Sequence, residues 1–382
     1  MRMTNSGMSI TADVTVIGGG IAGISAAARI AEVAPELKVV VLEAEDSLAY
    51  HSTGRSAAMF IRNYGPPAIR ALNIISEDVF RDPQDFSDKP LLSLRGEMVL
   101  DTGRSSAFDD YINGSSGLEI IAGEDVVKMV PILKPDYVRR GAFEPDASDI
   151  DVHQLMSSFT ALAKRHGVDI RLKHPVQSIT RQKSGDGNES WHLTAGDSEI
   201  STKMIVNAAG AWVDKIAEMA GVQPMGIIPH RRSAVMIPEP QGYSVSGWPM
   251  IAPAEEDWYM KPETGRMMVS PADQDPIEAM DAYPDDMVLA EGVYRFEQAV
   301  TIAVTRVEHE WAGLRSFAED HNPVVGFAPD AEGFFWMGGQ GGYGIAASPA
   351  LSQITAALVT GGDCPADDAL LAMLSPHRYY KG

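Results

Sequence analysis

The chain has a single cysteine, Cys364. A lone thiol excludes an internal disulfide and a thiolate metal cage, no metal site is expected, and this fits a protein of the reducing cytoplasm or one indifferent to redox state; a cytoplasmic location is expected. Basic residues are also scarce, with 31 Lys plus Arg against 52 Asp plus Glu and a formal net charge of −21. Binding a phosphate backbone depends on Lys and Arg displacing counterions, so nucleic acid is excluded as a partner. Long apolar runs are missing too. The nearest is residues 14–28, about 15 apolar or small side chains, short of the roughly 20 that a spanning helix needs, so the chain is expected not to be transmembrane. A secretory h-region has similar length, but the glycine spacing inside this run argues against it. What remains is 45% apolar and 22% charged residues over 382 positions, the composition of a globular chain of about two domains.

Asp13 is followed by β-branched residues through Ile17, then by Gly18-Gly19-Gly20-Ile21-Ala22-Gly23, which opens an Ala-rich stretch ending before Pro35. After Lys38, residues 39–42 form an apolar run closed by Glu43, 20 residues beyond Gly23. Strand, glycine turn, helix, strand and acid in this order form the dinucleotide-binding pattern with its full context. Gly18 permits the tight turn, Gly20 lets the backbone approach a pyrophosphate, and Gly23 lets helix and strand pack closely. The helix start at Ile21 and Ala22 offers free N–H groups and a partial positive charge. Glu43 can accept both ribose hydroxyls and would repel a 2′-phosphate, which disfavours NADP.

Three further segments extend the cofactor set. The loop 50–58 offers hydroxyl and backbone donors at His51, Ser52, Thr53, Ser56, Ala57 and Ala58, suited to a second contact with a long diphosphate cofactor and equally to an ordinary Ser-rich helix cap. Residues 203–212 read as an apolar strand ending in small residues, with Ala208, Gly210 and Trp212 placed to lie against a cofactor held at the first turn; Val176, opening another apolar strand, is taken with them. Finally Gly341, Gly342, Tyr343, Gly344 and Ile345 form a second glycine turn before a helix running to about Val359, with Pro349 near its start. Two such turns at opposite ends of one chain imply a single extended ligand gripped twice. Elsewhere, residues 176–179, 191–193 and 200–206 read as a meander with a polar first turn at 181–188, and 258–261 with 266–269 as a hairpin around Glu263-Thr264-Gly265.

The segments YHSTGRSAA, PLLSLRGEM, EPDASDIDVHQL, VNAAGAWVDKIA, HRRSAV, WYMKP, HEWAGLRSF and EGFFWMGGQGGYGI resemble, in order and spacing, the D-amino acid oxidase superfamily of FAD-dependent amine oxidoreductases, and within it the bacterial D-arginine dehydrogenase group. The resemblance runs from Asp13 to Pro376. It implies an α/β fold in which a Rossmann-type FAD-binding domain (1–88, 150–224, 318–382) is interleaved with a mixed-sheet α+β substrate-binding domain (89–149, 225–317). Relatives that attach FAD covalently carry a cysteine in the segment matching 315–320, here Arg-Ser-Phe-Ala-Glu-Asp, whereas Cys364 is expected beyond the final helix. Noncovalent FAD is therefore expected.

Oxidising an amino acid at Cα requires a fixed carboxylate, a neutral amine and a Cα–H aimed at flavin N5, and an Arg fork holds a carboxylate bidentately. Arg232 and Arg315 lie among apolar residues in RRSAV and WAGLRSF. From context alone each is as well explained by a structural salt bridge, and Tyr64 and Tyr259 by core packing. The resemblance implies that both arginines, with Tyr64, Tyr259 and Gly342, meet the substrate. Glu97, on its own a strand-end surface acid, matches a residue that faces the distal cation of a basic substrate. Two departures stand out. Met59 occupies the position of a His that follows Ser-Ala-Ala in the resembling pattern, and Ala346 the position of a Gln two residues after the final Gly. Met59 cannot take a proton, so no catalytic base is assigned, and it pulls substrate preference towards apolar side chains. His51 lies in the cofactor loop and His230 precedes the Arg pair, while His153, His166 and His192 read as surface or packing residues. The function implied is FAD-dependent oxidative deamination of D-amino acids, basic ones such as D-arginine or D-lysine included, to imino acids and then 2-oxo acids and ammonia. Two alternatives stay open: oxidation of N-substituted amino acids such as sarcosine or opines, and a flavin-binding electron-transfer subunit. The motifs leave the electron acceptor, O₂ or a quinone-linked carrier, unspecified.

Overall fold

Strand Met8–Ile17 organises the first of two large sheets in the computed structural model, which describes residues 8–183 and 189–380. Its β-branched end, Val14 to Ile17, is buried on both faces, as expected for a strand sandwiched between layers. It pairs in parallel with Ser198–Asn207 on one side and Val39–Leu42 on the other. Asp169–Arg171 continues the sheet beyond Val39–Leu42, and Phe334–Gly338 runs parallel to the end of Ser198–Asn207. The expected meander is Val176–Lys183, Glu189–Ala195 and Ser198–Asn207, joined antiparallel onto this same sheet. Residues 181–183 of its expected turn are strand, and 184–188 lie outside the described residues.

Helices Ile21–Val33, Val152–Arg165 and Ser348–Thr360 share one buried cluster with this sheet. In the first of them Ala26, Ala27 and Ala28 are wholly buried, and their small side chains let the neighbouring helices approach. Pro349 sits in the first turn of Ser348–Thr360, where its missing N–H forfeits no helical bond. Cys364 is not beyond the last helix. Asp368–Leu374 and a 3₁₀ turn, Pro376–Tyr379, follow it, the helix capped by Asp367 accepting from Leu370 N–H. Seven residues with Leu370 and Leu374 as the buried pair give too short an apolar period to stand out in sequence.

The second sheet runs, in spatial order, His309–Phe317, Ile228–Pro238, Arg266–Ser270, Tyr259–Glu263, Met250–Pro253, Glu97–Asp101, Arg140–Glu144 and Glu119–Ala122. It is mixed, because Met250–Pro253 pairs in parallel with Glu97–Asp101 while the other pairings are antiparallel. The predicted hairpin is Tyr259–Glu263 with Arg266–Ser270, closed at the Glu263–Arg266 pair. Side chains alternate between the faces of a strand. Met260, Met267 and Val269 enter a core with helix Asp286–Ala299, and Tyr259, Met268 and Ala234 cluster separately, with Ala57 and Trp311 packed against them. Strands of the first sheet come from 8–42, 169–207 and 324–338, and those of the second from 97–144 and 228–317. Among the described residues no helix is long and apolar enough to cross a membrane, and no His, Cys, Asp and Glu group has the arrangement of a metal site.

Candidate active site

Strand Met8–Ile17 delivers the chain to the glycine turn at the C-terminal edge of the first sheet, where open α/β sheets bind ligands. Gly18 has φ of 113°, and a Cβ there would come within 2.4 Å of the Ala208 carbonyl oxygen; one on Gly23 would come within 1.9 Å of the Gly18 carbonyl oxygen. Both glycines are demanded by backbone packing. Gly20 differs: a Cβ there would meet only Thr53 Oγ1, at 3.3 Å. Gly20, the N-cap residue of helix Ile21–Val33, has no side chain to cap it, and of the first-turn N–H groups, which have no intrahelical partner, that of Ile21 donates to Thr53 Oγ1 at 3.1 Å. Glu43 is held by two backbone donors, Gly19 N–H at 2.6 Å and Glu45 N–H at 2.9 Å.

A cavity of about 490 Å³ opens from this turn to the second sheet, within the size range of small-molecule and cofactor sites. Of the residues expected to meet cofactor, Gly18, Gly20, Ile21, Ala22, Glu43, His51, Ser52, Thr53, Ser56, Ala57, Val176, Ala208, Gly210, Trp212, Gly341, Gly342, Gly344 and Ile345 line it. Gly23, Ala58 and Tyr343 do not. A backbone without a side chain at Gly20, open space beside Gly210, the N–H groups of the helix start and a fixed Glu43 fit the pyrophosphate and ribose of FAD. The cofactor loop is tied to the second sheet by Ser52 Oγ donating to the Leu314 carbonyl at 2.7 Å and Trp311 Nε1 donating to the Arg55 carbonyl at 3.1 Å. His51 Nε2 donates to Glu45 Oε1, 2.9 Å away, and His174 N–H donates to the Glu43 carbonyl. The two histidines of the cavity wall therefore sit with the dinucleotide residues.

The second sheet supplies the cations. Arg232 faces Gly313 across the ladder between Ile228–Pro238 and His309–Phe317, which makes Arg315, two residues on, its diagonal neighbour on the same face. The Arg232 guanidinium lies 5.9 Å from the centre of the Tyr259 ring. Arg315 Nη1 donates to the Tyr64 hydroxyl at 3.3 Å, and Tyr64 packs edge-on against Tyr343 at 5.1 Å. Gly342 completes the group, since a Cβ there would come within 2.9 Å of Arg315 Cζ. Among the described residues neither Arg232 nor Arg315 has a carboxylate within ion-pair distance, whereas Arg231 next door is fanned between Asp273, Asp275 and Asp285. Burial alone would push the Tyr259 phenol up, but Arg315 and Arg232 outweigh it and leave the group below the ordinary phenol range. For Arg315, burial opposes the charge while Tyr64 and Tyr259 favour it, and the net direction is up. Its remaining exposure is to the cavity. The geometry is that of an anion site with no anion of its own.

Glu97 is neither a surface acid nor part of that cavity wall. It is 6% exposed and stands opposite Glu144, itself 5% exposed, in the ladder between Glu97–Asp101 and Arg140–Glu144. Glu144 accepts from Arg62 N–H at 2.7 Å and from Asn63 Nδ2 at 2.6 Å. Among the described residues Glu97 has no comparable pair of donors, and burial, Glu144 and Glu256 push it up to about 8, against a smaller opposing hydrogen bond from Tyr111. Asn63 precedes Tyr64, and Glu256 acts on the Tyr343 phenol as well as on Glu97, so the acid group borders the Tyr64–Tyr343 pair. Met59 pairs with Asp149 in a small sheet, and neither Met59 nor Ala346 lines the cavity. Sequence reasoning missed Glu144 and Tyr111, and assigned Tyr343 to the cofactor although its ring packs on Tyr64. Strand register sets Glu97 opposite Glu144, while Tyr111 comes from helix Ala107–Asn113 and Tyr64 and Tyr343 from outside the strands.

The fold and the cavity together define a dinucleotide-binding oxidoreductase. Residues 13–358 match the DAO family, FAD dependent oxidoreductase, and the chain belongs to that family. Among curated relatives it is 24% identical to a glycerol 3-phosphate dehydrogenase of Caloramator mitchellensis, over 89% of this chain and 72% of that one. It is 21% identical to human mitochondrial dimethylglycine dehydrogenase over 97% of its own length, and spans 44% of that longer protein. Its structure is similar to L-proline dehydrogenase from P. horikoshii, with a TM-score of 0.81, 21% identity and coverage of 97% and 98% of the two chains. Glycine oxidase from Geobacillus kaustophilus is similar too, with a TM-score of 0.81, 19% identity and coverage of 97% and 100%. At these identities the structural likeness is one of fold.

Proposed function

We propose that this FAD-dependent oxidoreductase oxidises D-amino acids at Cα, with basic side chains such as that of D-arginine directed to Glu97. The observation that carries the reading is the pair Arg232 and Arg315, two guanidinium groups without carboxylate partners among the described residues, in the cavity that also holds the glycine turn. FAD, when bound, supplies the hydride acceptor at N5. Arg232 and Arg315 clamp the substrate carboxylate, Tyr64 and Tyr259 add hydroxyl contacts, and the Cα–H is thereby fixed in direction. Among the described residues no histidine lines the cavity beside this group: His230, across the ladder from Arg315, packs against Phe317 instead. The same two cations disfavour an ammonium beside them, so the substrate amine loses its proton to water on entry. Loss of hydride gives an imino acid, which water converts to the 2-oxo acid and ammonia.

The D configuration rests on the resemblance, in motif order and spacing, to the D-arginine dehydrogenase group. Glu97, Glu144 and Glu256, which leave one buried carboxyl without a counter-cation, support a cationic side chain. Anaerobic bleaching of the flavin in the isolated chain tests the whole reading, with D- and L-amino acids, sarcosine and N,N-dimethylglycine as separate arms. Bleaching by D-amino acids is expected. Reduction by the N-methyl compounds alone would replace the reading with an N-substituted amine oxidoreductase, and no reduction by any arm would leave an electron-transfer subunit.

A further inference from the structure

Arg231 and Arg232 are consecutive, yet one is tied up in ion pairs and the other is free to meet a ligand, and the cause lies about 40 residues downstream. Strand Arg266–Ser270 leaves the sheet after Ser270, where Ala272 adopts φ of 53° and donates its N–H to Ser270 Oγ at 3.1 Å. The chain then rejoins the edge of Ile228–Pro238: Arg231 N–H donates to the Asp273-side strap at the Asp275 carbonyl, 2.9 Å away, and Ile277 N–H to the Pro229 carbonyl at 2.9 Å. Between these points the ladder is completed by a side chain. The Asp273 carboxylate, only 3% exposed, accepts from Ser233 N–H at 2.6 Å and from Ser233 Oγ at 2.8 Å. Its own backbone carbonyl accepts from Arg232 Nε at 2.8 Å.

We propose that Asp273 is the positioning residue for Arg232: its carboxylate pins the turn to Ser233, and its carbonyl occupies Arg232 Nε so that the Nη edge of the fork is turned to the substrate carboxylate. The proposal rests on the reading of Arg232 as a carboxylate anchor. Asp273 touches neither substrate nor cofactor; it acts through Arg232. A carboxylate is suited to this place because it takes two donors from one residue, in a gap that the strand left when it turned away. Arg231, 3.6 Å from the Asp273 carboxylate, offsets the cost of burying that charge.

The test uses the holoenzyme and propionate, a carboxylate that cannot be oxidised at an amine, with its Kd read from perturbation of the flavin spectrum. Asp273→Ala should weaken propionate about tenfold to a hundredfold, as small misalignments of a binding group do, and raise KM for amino acids more than it lowers kcat. Asp273→Asn, which keeps an oxygen for Ser233 N–H, should recover most of the loss. In an Arg232→Met background Asp273→Ala should cost nothing further, because a positioning residue has nothing left to position. Additive losses in that double variant would overturn the proposal and mark Asp273 as a general structural residue. Unchanged propionate binding in Arg232→Met alone would instead overturn the anchor reading. If Asp273→Ala does not fold, Ser233→Ala, which removes one of the two donors, must still reduce propionate binding without adding to Arg232→Met.

Discussion

Glu97 offers a pH-dependent test of substrate class. Its carboxyl is 6% exposed, faces Glu144 across the strand ladder, and is pushed up from an ordinary 4.5 to about 8 by burial, Glu144 and Glu256. At pH 7 roughly a tenth of the group is then ionised and at pH 9 roughly nine tenths. A guanidinium binds the ionised form, and apparent affinity scales with the competent fraction. The kcat/KM for D-arginine divided by that for D-methionine should therefore rise about tenfold between pH 7 and pH 9. The quotient cancels deprotonation of the α-amino group, which raises both rates alike. Stopped-flow reduction of the flavin under argon, with both substrates across this range, measures it. In Glu97→Gln the quotient should be flat, and D-arginine should lose about 1.5 to 3 kcal/mol, the worth of a hydrogen bond to a charged group, with D-methionine unchanged. Stability carries an independent sign. Because the folded pKa lies above the unfolded one, the native state holds an extra proton between about pH 4.5 and pH 8, and stability falls as pH rises through that window. Glu97→Gln does not titrate, so its Tm should gain on the wild type over the same window. A flat quotient in the wild type, with D-methionine preferred throughout, would refute the basic-substrate reading and leave D-amino acid oxidation standing. A Tm difference independent of pH would refute the buried-acid argument itself.

Acid denaturation should release all the flavin as FAD, since Cys364, the only cysteine, does not line the cavity; flavin retained in the precipitate would contradict noncovalent binding. Gly20→Val should give a folded protein that purifies without flavin, because a Cβ there meets only the Thr53 hydroxyl, at 3.3 Å, while the valine methyls would take the place of the pyrophosphate. Arg315→Met should keep FAD and lose about 2 to 4 kcal/mol in kcat/KM for amino acids, roughly 30- to 1000-fold, while amines without a carboxylate are unaffected; equal losses for both would make the arginine structural. Arg55 donates to the carbonyls of Ala282 and Ala312 and pairs with Asp281, so Arg55→Met should speed FAD release on dilution, followed by flavin fluorescence. Asp281→Asn should change that rate by the equivalent of about 1 kcal/mol or less, because Asp281 is more than half exposed.

The glycine turn was legible because its constraints are local. Gly18 needs its positive φ, Gly23 lies against the backbone five residues before it, and the acid at the end of the next strand follows within one βαβ unit. The hairpin at Glu263–Arg266 and the helix after the second glycine turn were legible for the same reason. Strand order in the second sheet was not. Nothing near Met250–Pro253 announces that it will pair in parallel with Glu97–Asp101, about 150 residues away, because the pairing is decided by which apolar faces can be buried together.

The site divides along the same line. Residue type identified Arg232 and Arg315 as able to hold a carboxylate, but availability is a property of surroundings. Arg231 and Arg232 are the same residue type one position apart, and strand alternation turns them to opposite faces, one to three aspartates and the other to the cavity. Glu97 shows the converse. As a strand-end acid it belongs on the surface, and it becomes a buried, protonatable group only because the register sets Glu144 across from it and gives the available donors, Arg62 N–H and Asn63 Nδ2, to Glu144. Those donors are spent on Glu144, and its proximity together with burial raises the pKa of Glu97. A charge that a substrate can use is thus one that the fold has declined to neutralise, and this is a fact about every neighbour at once rather than about any one residue.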